Sequence, residues 1–432
     1  MPFSAAASYA LLRAKPEQDI WVSLLKQHGD IVYLPWLNVY FVDRPSVVHE
    51  ILKKRHDVFV RGPAFRASFG RAIGRGLITN EGTEWHFTRR LVHAEFKPKS
   101  IADSSLSTFR FVQNRIASWE DSAKSGVPLD VSASLYHIHL SLIGKFLFNN
   151  ALDGLLDVIH GHVTRVSAET YRRSMPPGLF LPWWFPLPGS KRAHESREQL
   201  RVLLRQLIST DCGPTIKHLQ NAVAKDGKSE QWLEGELMTL LWTGHETSSQ
   251  ASAWMCFHVA QQQEVQERLY EEIRSMEDAI ADGSALDEKL PYHKQVVDEA
   301  LRLSPAVPRV GRTLIEDCEV DGVLFRKNAH IAISPYVVHR HPEYWEEPEV
   351  FDPERFSASN KDSITPGSYI PFAVGPHRCI GQHLAVSQMI TVLANTVRKY
   401  RFTLANTNPV KALDHATLVP SEHIYLRLEV RK

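Results

Sequence analysis

Cys379 has the clearest chemical setting in the chain. It sits in Phe372-Ala-Val-Gly-Pro-His-Arg-Cys-Ile-Gly381, and the following stretch, Gln382 to Arg398, reads as a helix. A thiol at a helix N-terminus is biased toward the thiolate, because the helix dipole and free N–H groups favour negative charge. Gly375 and Gly381 permit tight backbone turns and close approach to a flat ligand. A second group lies in Thr243-Gly-His-Glu-Thr-Ser248. There Thr247 is placed to bond back to the Thr243 carbonyl, loosening the helix ladder and leaving room for a water. Glu246 beside it is an acid able to pass protons. Glu299 and Arg302 stand three apart in VVDEALRLSP, the spacing of a helical ion pair. Trp85 and Arg89 stand four apart in EGTEWHFTRRLV. Taken singly, the first of these last two patterns reads as a surface ion pair and the second as a core tryptophan beside a surface arginine.

Together the segments resemble the cytochrome P-450 family. Phe372, Gly375, Cys379 and Gly381 match its haem-binding signature FxxGx(R/H)xCxG, with His377 in the basic position. The resemblance implies haem b (iron protoporphyrin IX) with the Cys379 thiolate as axial ligand, a donor that favours O–O cleavage. Thr243–Ser248 is similar to the oxygen-activation motif (A/G)Gx(D/E)T(T/S), which implies catalytic roles for Glu246 and Thr247 and a place for dioxygen against Gly244. Thr243 stands where the family has Ala or Gly, adding a methyl and a hydroxyl beside the oxygen site. Trp85 and Arg89 match a WxxxR pattern that meets one haem propionate, an arginine fork suiting a carboxylate. Arg312, in VGRTLIEDCEVDG, matches a strand arginine that reaches the other propionate. Phe351-Asp-Pro-Glu-Arg-Phe356 resembles the PERF segment. Its Arg355 would complete a buried network with Glu299 and Arg302, tolerated only if fully satisfied, which holds the core that cradles the cysteine loop.

By position relative to Thr247, the resemblance places Thr239, Trp242 and Thr243 at a distal substrate pocket, joined by Val307. Trp242 either narrows that pocket or packs into the core. The segment Leu181-Pro-Trp-Trp-Phe-Pro-Leu-Pro188 either lines the entrance or is a buried loop. The implied activity is a haem-dependent monooxygenase that hydroxylates or epoxidises an apolar small molecule: a terpenoid, a fatty acid or an aromatic natural product. Alternatives are a peroxide-using or electron-independent haem-thiolate enzyme (an isomerase or dehydratase) and a non-catalytic haem sensor; the Glu246–Thr247 pair favours the dioxygen route. The stretch after Cys379 is too short for a flavin or iron–sulfur domain. Electrons from NAD(P)H are therefore expected through a separate partner, a ferredoxin with its reductase, docking near Lys97, Lys99 and Arg378.

The elements that must position these residues are mainly helical. Glu230 to Ala260 carries apolar residues at helical spacing, roughly 45 Å of helix at 1.5 Å per residue. His137 to Phe148 and Ser190 to Thr210 read the same way, and Glu17 to Gln27 as a short amphipathic helix. Asp30 to Asp43 reads as a hairpin turning at Leu37-Asn38. Pro45 opens a helix, and residues 62–80 read as a long loop with a short helix. Short strands are expected at 320–340 and from Thr417 to Val430. The expected architecture is mainly α with small β-sheets (α+β), a single cytochrome P-450 domain over 1–432 with haem between the long central helix and the cysteine loop. Of the 432 residues 43% are hydrophobic, enough for a large core, and the net charge of +1 excludes an obvious nucleic-acid binder. The four cysteines form neither a zinc pattern nor a disulfide framework, which points to a reducing compartment, the cytoplasm. No membrane anchor is visible in the sequence, and a monomer is expected.

Overall fold

The structure, a computed structural model, describes residues 17–149, 152–174, 181, 185–209, 212–276 and 286–431. Eight helices carry the argument: α1 (Pro63–Ile73), α2 (Gly82–His93), α3 (Val131–Phe148), α4 (Leu156–Ser174), α5 (Ser190–Ile208), α6 (Glu230–Ala260), α7 (Pro291–Leu303) and α8 (Gln382–Lys399). Five strands form the largest sheet: β1 (Ile31–Leu34), β2 (Val39–Val42), β3 (Phe59–Val60), β4 (Val310–Leu314) and β5 (His330–Ile333). The chain groups into two compact units. One is built from residues up to Gly62, Lys294–Cys379 and Val410–Glu422; the other from Pro63–His293, Ile380–Pro409 and His423 onward.

The first unit is organised by the five-stranded sheet, in the order β1-β2-β5-β4-β3. Only β2 and β5 run parallel. The hairpin pairs Leu34 with Val39. Its turn is Pro35–Asn38, not the two residues expected, and Asn38 takes the left-handed conformation at φ 52°, a region Asn tolerates. The Pro45–His49 helix runs on as a π-helical turn, Glu50–Lys54. Val47, Val48, Ile51 and Leu52 from these turns pack with Phe59, Phe325, Ile331 and Ile333 as one buried cluster.

The second unit is organised by α6. Ser229 caps it, its hydroxyl accepting the Trp232 N–H at 3.1 Å, which satisfies one of the free donors of a helix start. Leu233, Leu237, Leu240, Leu241, Met255 and Val259 are all buried, as expected of a helix apolar around most of its circumference. Helix α3 packs along it, with Tyr136, Leu140, Ile143 and Leu147 in the shared core. That helix begins six residues before the His137 expected, because the Asp130 carboxylate accepts the Ala133 N–H at 2.9 Å and caps it. A further helix, α1, is longer than the short helix anticipated in 62–80. Residues 182–184 of the aromatic 181–188 segment, Trp183 and Trp184 among them, lie outside the described residues. Among the described residues no helix is long and apolar enough to cross a membrane.

Candidate active site

In the first unit, residues 372–379 form a closed loop. The Cys379 N–H donates to the Phe372 carbonyl at 2.9 Å and the Arg378 N–H to the Gly375 carbonyl at 3.1 Å. Gly375 has φ 78°, and a Cβ there would lie 2.2 Å from the Leu52 carbonyl oxygen and 2.8 Å from Lys53 Cα. Only glycine lets this loop lie flush on the π-helical turn. Gly381 does not fit the same expectation. At φ −85° and ψ 11° it adopts a conformation open to any residue, and it serves as the N-cap of α8. Cys379 is exposed. The buried Arg61 guanidinium contacts His377 Nδ1. Arg312 is buried on β4, its Nη1 donating to the Gly311 carbonyl at 2.7 Å. Val307 is 36% exposed.

The expected ion network is present, and its Glu299–Arg302 pair is fully hydrogen-bonded, whereas Arg355 Nε is buried without a hydrogen bond. Arg302 donates through Nε and Nη2 to the two Glu299 oxygens at 2.7 and 2.8 Å, with both side chains fully buried. Its remaining N–H groups reach the carbonyls of His339, Pro348 and Val350 at 2.9, 2.7 and 3.1 Å. Glu299 Oε1 also accepts the Asp352 N–H at 2.8 Å and lies 3.6 Å from Arg355 Nε. The network reaches the cysteine loop through His339. The Ile370 N–H donates to His339 Nε2 at 2.8 Å. The ring proton is therefore on Nδ1, which donates to the Arg302 carbonyl at 3.0 Å. Burial holds this imidazole neutral, its pKa lowered to about 3. The Ile370 carbonyl in turn accepts the Ala373 N–H at 3.0 Å.

In the second unit, α6 runs unbroken through residues 243–248. Thr247 Oγ1 donates to the Thr243 carbonyl at 2.8 Å, as its spacing anticipated. Thr243 spends its own hydroxyl on the Thr239 carbonyl at 2.7 Å. The space a Gly244 side chain would fill is taken by Ile143 of α3, whose Cδ1 would be 2.7 Å from the added Cβ. The glycine therefore permits helix packing, a reason the sequence reading did not anticipate. Glu246 Oε2 accepts from Trp242 Nε1 at 2.6 Å and from Ser167 Oγ of α4 at 3.0 Å. The adjacent His245 is fully buried. Its Nδ1 donates to the Leu241 carbonyl at 2.5 Å, so Nε2 accepts the Tyr136 hydroxyl at 2.6 Å. Burial keeps the ring neutral, lowering its pKa to about 4, and burial with the nearby Glu246 charge pushes the Tyr136 phenol up.

Residues 74–80 lie directly on α6. A Cβ on Gly235 would be 2.1 Å from the Arg75 carbonyl oxygen, and one on Gly76 would be 2.2 Å from Thr239 Oγ1. The Thr239 hydroxyl thus faces backbone rather than open space. Glu236, which sequence reasoning missed, ties the same segment down. It accepts the Leu77 N–H at 2.8 Å, the Thr88 hydroxyl at 3.0 Å and the Asn80 amide at 3.4 Å. Burial pushes its carboxyl up to about 8. The available signal was an acid flanked by Leu233, Leu237 and Leu240. On α2, Trp85 is buried and the Arg89 guanidinium carbon lies 5.5 Å from its ring centre.

Residues 10–428 match the family described as Cytochrome P450. The chain belongs to the cytochrome P450 family. Rat cytochrome P450 4X1 is 32% identical over 83% of this chain and 75% of its own length. Cyclooctat-9-en-7-ol 5-monooxygenase of Streptomyces melanosporofaciens is 26% identical over 88% and 84%. The crystal structure of CYP175A1 from Thermus thermophilus superimposes with a TM-score of 0.80 at 21% identity, covering 99% of both chains. The protein is a haem-thiolate monooxygenase, drawing electrons from NAD(P)H through a redox partner. The residues of this P450 fit that cofactor. Of its four cysteines only Cys379 is exposed, and burial raises the Cys256 thiol to about 12 and raises that of Cys318, away from the thiolate that iron requires. Cationic side chains that suit propionates are present at Arg312 and Arg89.

Proposed function

We propose that this P450 oxidises an apolar small molecule, hydroxylating a C–H bond or epoxidising an alkene. The Glu246–Thr247 pair on α6 carries this reading. The Thr247 hydroxyl donates to its own helix, which leaves its lone pairs to accept a hydrogen bond, and the neighbouring carboxylate supplies an acid. The haem, when bound, supplies reductive activation of dioxygen. The chain's part is to hold the cofactor and to deliver protons. Cys379 would ligate the haem iron. His377, Arg312, Trp85 and Arg89 would hold the propionates, Phe372 and Gly375 would shape the cysteine loop, and Glu299, Arg302 and Arg355 would brace it.

The substrate class is a terpenoid, fatty acid or aromatic natural product. The relative named for cyclooctat-9-en-7-ol supports the first of these. Trp242 and Val307 belong to the pocket on this reading. The electron source is a ferredoxin with its reductase, and the P450 works as a monomer, as one domain, in the cytoplasm. Carbon monoxide added to the reduced holoprotein tests the cofactor assignment. A red-shifted, thiolate-type Soret band is expected, and its persistence in Cys379→Ala would assign the wrong ligand. A screen for compounds that drive the ferric protein to high spin tests the substrate class. Product formed with peroxide alone, and none with reduced ferredoxin, would favour the peroxide-using alternative.

A further inference from the structure

We propose that Trp242 is a positioning residue for Glu246, and that with Ser167 and Phe69 it fixes the acid to helices α4 and α1. The inference rests on the reading of Glu246 as the proton-delivering acid. Trp242 and Glu246 stand one helical turn apart on α6, so their side chains share a face. The indole N–H donates to Glu246 Oε2 at 2.6 Å, and Ser167 on α4 donates to the same oxygen at 3.0 Å. Hydrogen bonds to an ionised acceptor are stronger than neutral ones, and two of them converging on one oxygen select one carboxylate rotamer.

The three groups have different capacities. An indole N–H is donor only, so Trp242 orients the acid and passes no proton. A serine hydroxyl both donates and accepts, so Ser167 is able to hand a proton to the carboxylate as well as hold it. The face of Trp242 is fixed from a third direction. Phe69 of α1 stacks on it with ring centres 6.4 Å apart and planes inclined by 29°, and Phe65 stacks on Phe69 at 4.5 Å. Helix α1 does not slide freely along α6. Just beyond its end the backbone of residues 74–77 is seated on Gly235, Glu236 and Thr239. The rotamer of the acid is thus set by parts of the chain widely separated in sequence.

The test uses holoprotein with a surrogate ferredoxin, its reductase and NADPH, without added substrate. Trp242→Phe keeps a ring against Phe69 and removes the donor. It is expected to retain the thiolate–carbon monoxide band and to slow NADPH oxidation roughly tenfold, less than the ~10²–10⁴-fold that a removed general acid brings. A larger solvent isotope effect should accompany it. Ser167→Ala should act in the same direction and Ser167→Thr, which keeps the hydroxyl, should restore the rate. Independently of turnover, protein labelled with ¹⁵N in tryptophan should show one indole N–H resonance that is lost in Trp242→Phe and displaced in Glu246→Gln. An unmoved indole resonance in Glu246→Gln overturns the proposal, as do unchanged rates and isotope effects in Trp242→Phe and Ser167→Ala. If Trp242→Phe fails to take up haem, the serine pair decides: a rate lost and restored supports the proposal, and an unchanged rate ends it. A wild-type protein without the thiolate band sinks the monooxygenase reading itself. A normal band with an unmoved indole sinks this inference alone.

Discussion

Gly235 and Arg75 meet with no side chain between them: a methyl on Gly235 would lie 2.1 Å from the Arg75 carbonyl oxygen. This contact seats the segment after α1 on the long helix that carries the acid–alcohol pair. Gly235→Ala forces backbone apart, an overpacking that costs about 1–3 kcal/mol. Gly70, inside α1, has nothing within 4 Å of an added Cβ, so Gly70→Ala should gain about 0.5–1 kcal/mol of helix stability. Thermal melts should move in opposite directions for the two variants, and a Gly235→Ala protein as stable as wild type would contradict the contact.

Glu236 gives the protein a pH-dependent stability. Burial raises its carboxyl to about 8 from an ordinary value near 4.5. The native state therefore retains a proton that the unfolded chain releases across this window, and stability from this group falls as pH rises. It is fully present below about 4.5 and lost as pH passes 8. Glu236→Gln removes the titration, so the difference in melting temperature between wild type and variant should shift steadily against wild type from pH 5 to pH 8. A constant difference would show that the group does not titrate there.

Arg302→Lys should not substitute for the native residue. Arg302 makes five hydrogen bonds in a fixed fork, which an ammonium does not reproduce. Removing one partner of such a buried pair costs about 3–5 kcal/mol. Because His339 links Arg302 to Ile370, at 3.0 and 2.8 Å, the damage should reach the cysteine loop. Purified Arg302→Lys should show low soluble yield and little thiolate–carbon monoxide band.

Thr247→Ala removes one hydroxyl from a helix that is otherwise continuous. It should retain haem and the thiolate band while diverting NADPH-derived electrons to hydrogen peroxide, with general-acid losses of about 10²-fold or more in product formation. Equal peroxide release in wild type and variant would remove Thr247 from proton delivery.

Some of this was legible along the chain because the chemistry is local. The bounds read for helix α6, Glu230 to Ala260, are those of the structure. The turn at Gly375, the Thr247 back-bond and the Glu299–Arg302 spacing are relations within one turn or loop. The partners that set each group's behaviour are not. Ser167 meets Glu246 across 79 residues, Tyr136 meets His245 across 109, and Arg61 meets His377 across 316. Gly244 looked like a gap left for a small ligand because Ile143, which fills that space, comes from another helix.

The sequence by itself determined the family and marked Cys379 as the candidate haem ligand and Glu246–Thr247 as the candidate acid–alcohol pair, since each is a fixed spacing of residue types within a few positions. The tertiary structure alone decided which donors hold Glu246, why Gly235 and Gly244 lack side chains and how Arg302 reaches the cysteine loop. Those are packing and hydrogen-bond relations between distant segments, and spacing along a chain carries no record of which surfaces meet when it folds.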